Sequence, residues 1–109
     1  MAGKYWFANH PSGRVLAGSL TETNVALISD GDEAAFDITV TGAALGDIVL
    51  GISASVDVKD GVLDAHVTAA DTVSVVLSNT TGGDLDIDEA TFRVVVLPSA
   101  AVDDIVSKM

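Results

Sequence analysis

The sequence predicts an all-β fold: a single antiparallel β-sandwich, jelly-roll-like, with an N-terminal arm and a short C-terminal helix. Three observations predict it. Apolar and polar residues alternate with period two, the alternating runs are short, and Gly/Asp/Asn turns separate them. The limits that follow are an arm over residues 1–19, a sandwich over 20–98 and a helix over 99–109.

The first nineteen residues show no period. Tyr5, Trp6 and Phe7 stand side by side, and His10-Pro11-Ser12-Gly13 breaks the chain after them. Consecutive aromatics cannot all face one core, so at least one points outward. Two readings stay open: an irregular arm packed on its own sandwich, or an arm reaching a neighbouring subunit with aromatic anchors of the kind enriched at interfaces.

Val15–Leu20 and Asn24–Ser29 are short strand candidates, followed by the acidic turn Ser29-Asp30-Gly31-Asp32-Glu33. In Ala35–Thr41, Phe36, Ile38 and Val40 take the dry face while Asp37, Thr39 and Thr41 take the wet one. Gly42-Ala43-Ala44-Leu45-Gly46 is a small-residue connection. Asp47–Val58 then places Ile48, Leu50, Ile52, Ala54, Val56 and Val58 on one face, as one bent strand or two pieces. Lys59-Asp60-Gly61 turns the chain.

The clearest stretch is Gly61–Pro98, three strands and two turns. Leu63, Ala65, Val67 and Ala69 share one face of Val62–Ala70, and Val73, Val75 and Leu77 share one face of Thr72–Asn79. Ala69-Ala70-Asp71 is long enough only for a tight hairpin connection. Asn79-Thr80-Thr81-Gly82-Gly83-Asp84 concentrates residues that tolerate positive φ or bond their own backbone. Thr91–Leu97 is apolar on both faces except at Arg93, which fits a central strand or one covered outside by another subunit. Pro98 ends it, because proline cannot donate to a ladder. The expected core includes Phe36, Ile38, Val40, Ile48, Leu50, Val67, Val73, Val75, Leu77, Phe92 and Val94.

After Pro98 the period changes. Ser99 is placed to cap a helix with Val102, Ile105, Val106 and Met109 on one face and Asp103, Asp104 and Lys108 on the other. Ten residues make a marginal helix, so it must dock on its own sheet or on another subunit. Tyr5, Trp6, Phe7, Val102, Ile105 and Val106 are therefore the candidate interaction residues.

At 109 residues the chain is one domain, able to bury roughly 65% of its unfolded surface without staples. It has no cysteine, hence no disulfide and no thiolate chemistry, as fits a reducing cytosol. No apolar signal-like region and no membrane-spanning run is present in the sequence. Sixteen carboxylates against five Lys and Arg give a net charge of −11, which argues against nucleic acid as a partner.

Chemistry-bearing constellations are sparse. Asp84-Leu85-Asp86-Ile87-Asp88-Glu89 is oxygen-rich but lacks the sixth-position glycine and distal glutamate of a calcium loop. It is read as a solvated acidic face, so no metal and no cofactor is expected. His66 lies beside Asp64 and Thr68 on a wet face, with no nucleophile at recognisable spacing. Neither a phosphate loop nor a zinc motif occurs, and no enzyme is expected. Asn79-Thr80-Thr81 matches a glycosylation sequon.

Three segments carry a resemblance. Val40-Thr41-Gly42-Ala43, with Gly46-Asp47 and Val49, is followed by Val67-Thr68-Ala69-Ala70-Asp71-Thr72-Val73-Ser74-Val75 and then Thr91-Phe92-Arg93-Val94-Val95-Val96. Over residues 36–97 this pattern resembles a β-sandwich domain of structural proteins in tailed bacteriophages, the head decoration (cement) type among them. The resemblance implies a virion protein made in the bacterial host cytoplasm and placed on the outer capsid surface. Its implied partners are the major capsid protein and further copies of itself, most simply a homotrimer at capsid three-folds. It implies no catalytic residue and no membrane partner. The alternative is a small tail- or fibre-associated module that binds a receptor or carbohydrate.

Overall fold

The computed structural model describes residues 15–109 and shows two three-stranded antiparallel sheets packed face to face. Six strands appear among the described residues: β1 (Leu16–Val25), β2 (Glu33–Thr39), β3 (Ile48–Ala54), β4 (Val62–Ala69), β5 (Thr72–Ser78) and β6 (Asp88–Leu97). One helix, α1 (Ser99–Ser107), closes the chain. The first sheet has the order β1-β6-β3 and the second β2-β5-β4, a jelly-roll winding in which β1 lies against β2 and β3 against β4.

The alternating residues dictate this arrangement. Phe92, Val94 and Val96 of β6 turn inward and are buried, facing Val73, Val75 and Leu77 of β5. The rings of Phe36 and Phe92 stack across the two layers, with centroids 5.2 Å apart and planes 17° apart. Gly18 lets β1 approach the other layer: a Cβ there would sit 2.6 Å from the Thr39 carbonyl oxygen. β6 and β5 are the central strands, and Val94–Leu97 of β6 reads as the continuous apolar run that a central position allows. Residues 70 and 71 form the tight hairpin between β4 and β5, with Asp71 at φ 61°.

The structure corrects several expectations. Ile48 and Leu50 are not core: they are 45% and 51% exposed, whereas Val49, Ile52 and Ala54 pack inward. The register against β6 shifts between Val49 and Gly51, so one extra residue reverses the phase of the strand's first half. The candidates at 15–20 and 24–29 are not two strands: β1 runs on from Leu16 to Val25 with an irregularity after Glu22, and beyond it only an isolated bridge from Ile28 to Leu85 remains. The first residues of β1, Leu16–Ser19, fall within the stretch assigned to the arm.

At the helix, Pro98 occupies the cap position and Ser99 is the first helical residue, so Ser99 caps nothing. Its N–H donates instead to Asp47 Oδ1 at 2.8 Å, a carboxylate brought to the helix start from across the fold. The helix buries Ala101 rather than the expected stripe: Val102 is half-buried, and Ile105 and Val106 are exposed.

Candidate interaction surface

Two of the three segments that carry the resemblance, around Val40–Asp47 and around Asp71, meet at one end of the sandwich. The Val40 N–H donates to the Asp71 carbonyl, the Asp71 N–H to the Ala43 carbonyl, and the Gly42 N–H to Asp71 Oδ1, at 2.7–2.8 Å. Gly42 takes φ 94°, a conformation open to glycine and strained for other residues. Asp47 holds both the Ala44 N–H, through Oδ2 at 2.9 Å, and the start of α1. These are scaffold duties. Asp71 locks the β2–β3 loop to the β4–β5 hairpin, and Asp47 locks that loop to the helix.

The opposite end is fastened by Asn79, which is fully buried. Its Nδ2 donates to the carbonyls of Ile28 and Gly83, each at 2.7 Å, and its Oδ1 accepts from the Thr81 N–H and hydroxyl. The sequon is thus a structural clasp. An amide nitrogen with both protons engaged inside the fold is not available for a glycan.

Asp84, Asp86 and Asp88 alternate with buried Leu85 and Ile87, as an extended acidic edge does. Asp88 sits at φ 57° and its N–H donates to Asp86 Oδ1. The hydrogen bond and charge of Asp86 push the Asp88 carboxyl above its ordinary value of 3.8. A carboxyl raised on folding favours the protonated native state, so it costs stability as the pH climbs past 3.8 and through the raised value. Asp88→Asn removes the like charge and keeps a residue that tolerates positive φ. The variant is expected to melt slightly above the parent at neutral pH, with the difference vanishing below about pH 3.5. Thermal scans of both proteins across that range check it, and a variant that melts lower at neutral pH contradicts it.

His66 and Asp64 do not pair: Asp64 Oδ1 accepts the Ala65 N–H at 2.8 Å, and both side chains face solvent on the second sheet. Among the described residues no group of three or more His, Cys, Asp or Glu converges as a metal site would. No helix among them is long and apolar enough to cross a membrane.

Of the candidate interaction residues, Val102, Ile105 and Val106 are on α1, with Val106 62% exposed. Tyr5, Trp6 and Phe7 lie outside the described residues. The sequence marked the outer side of Thr91–Leu97 as one that another subunit could cover, and on the exposed face of the first sheet Arg93 and Val95 project between small side chains. What the sequence did not show is which small residues of β1 and β3 flank them. An open groove of about 340 Å³ runs there over Ala17–Ser19 and Arg93–Val95. Leu50, displaced outward by the bulge, and Ile48 flank it with exposed aliphatic surface.

Comparison with protein-family models, with curated proteins and with solved structures returns no match.

Proposed function

We propose that this chain is a non-enzymatic decoration protein of a tailed-phage capsid, binding the outer shell and holding neighbouring capsid subunits together. The observation that carries the reading is the three-segment pattern over residues 36–97, whose Gly42, Asp47 and Asp71 hold one end of the sandwich. Exposed aliphatic surface at Leu50, Ile48, Ile105 and Val106 supports a protein that works by contact.

The mechanism is mechanical. A shell filled with DNA is under outward pressure, and a small protein bridging adjacent capsomers adds contacts that must break before the subunits separate. Three copies around a three-fold axis give each bridge the symmetry of its position. Stabilisation by binding follows mass action, so it grows with the concentration of added protein. The net charge of −11 suits the outside of the shell better than the surface that meets packaged DNA.

Purified protein is expected to re-bind expanded shells of the source phage that have been stripped of it, and to raise their rupture temperature in a dose-dependent way. Shells that stay bare while the protein captures host surface glycans would replace this reading with the receptor-binding one.

A further inference from the structure

We propose that the outer face of the first sheet is the surface laid against the shell subunit, and that the subunit supplies a carboxylate to Arg93. This rests on the shell-binding reading above and names the face that does the binding.

The pairing register defines the face. Val95 lies between Ala17 and Gly51, Arg93 between Ser19 and Ser53, and Thr91 opposite Thr21. The flanking side chains are small, so Arg93 and Val95 stand beside the open groove over Ala17–Ser19, bordered by Leu50. The groove's walls are strand backbone held in the sheet, so little must be ordered before a partner seats on it.

Charge then selects the occupant. The chain carries sixteen carboxylates, yet none lies in these three rows. The first carboxylate on that side of β6 is Glu89, four residues and about 13 Å from Arg93 at the rise of a strand. The outer face of the second sheet, by contrast, carries Glu33, Asp37 and Asp64.

Three cations fall among the described residues. Lys59 donates to the Asp86 carbonyl and Lys108 pairs with Asp104, whereas no hydrogen bond or ion pair holds Arg93. A guanidinium left unpaired on an otherwise uncharged, partly apolar floor is matched by a planar carboxylate beside apolar groups, which it can take in two parallel hydrogen bonds.

A second copy of this chain fits the face poorly. Two copies meeting through the same face bring Arg93 towards Arg93. A copy seated by its acidic second sheet would leave its own first sheet pointing onward, because the two outer faces of a sandwich point in opposite directions. Such a contact does not close, and it propagates a stack. Neither outer sheet of a second copy thus makes a closed contact here, and the functional reading supplies the occupant: the shell subunit.

The test uses the full chain and stripped, expanded shells of the source phage as the probe. Arg93→Gln and Arg93→Glu are compared with the parent and with Asp37→Lys on the opposite sheet, each first shown to melt like the parent. Co-sedimentation is expected to show Arg93→Gln binding about tenfold more weakly or worse, Arg93→Glu not binding, and Asp37→Lys binding as the parent does. An Arg93→Glu protein that binds shells as tightly as the parent overturns the inference and leaves the functional reading standing. So does light scattering in which Arg93→Glu alone lowers the oligomer mass, since the contact would then be with a second copy. A parent that binds no shell at all removes the functional reading and this inference together.

Discussion

Val75→Asp is expected to abolish cooperative folding at 25 °C. Val75 is fully buried at the centre of β5, paired with Phe36 on one side and Ala65 on the other, beneath the first sheet. No cation lies in that layer to pair with a carboxylate. An unpaired buried charge costs several kcal/mol even after it is neutralised by protonation, and the lost valine packing adds to it. A domain of this size has only about 5–15 kcal/mol of stability to lose. Val76, one residue on, is half-buried on the outer face, so Val76→Thr should cost less than about 1 kcal/mol. Circular dichroism melts of the pair test the phase of the strand. A Val75→Asp protein that keeps the parent's melting temperature would mean that β5 faces the other way.

The second large effect is expected at Asn79. Asn79→Ala removes four buried or part-buried hydrogen bonds, two to the Ile28 and Gly83 carbonyls and two from the Thr81 N–H and hydroxyl, at a clasp that joins the β1–β2 connection to the β5–β6 connection. Losing this set should cost roughly 2–4 kcal/mol, or about 10–20 °C in melting temperature for a domain this small. Asn79→Asp separates hydrogen bonding from volume. It keeps the shape but replaces a double donor by an oxygen aimed at two carbonyls, so it should be at least as damaging as alanine. An aspartate variant as stable as the parent would show that the amide protons do not hold the clasp.

How much of this was legible depended on how regular each strand is. β2, β4, β5 and β6 follow period two closely, and the inward residues Ile38, Val67, Val75 and Phe92 were readable from alternation alone. β3 was misread because a bulge adds one residue without any mark in composition. Everything before the bulge therefore flips face, which is why Ile48 and Leu50 emerged on the outside. Asp47, Asp71 and Asn79 were recognisable as turn residues but not as long-range clasps. Their partners stand up to 52 residues away, and spacing along the chain carries no trace of such a bond.

The site was less legible than the fold for a related reason. The recognisable words of the sequence, around Gly42, Asp47 and Asp71, fall on residues that hold the sandwich together. They speak to architecture. The face around Arg93 is built from Ala17, Ser19, Gly51 and Ser53, residues that signal nothing singly and become a surface only when the register aligns them.

The central claim is position on the particle, and a low-resolution map of the intact virion tests it most directly. The expected map shows a regular array of small protrusions, each the size of one or three such sandwiches, on the outer surface of the head. Those protrusions vanish, with the shell lattice unchanged, when the gene is deleted. Identical heads with and without the gene, or new density confined to the tail, would contradict it.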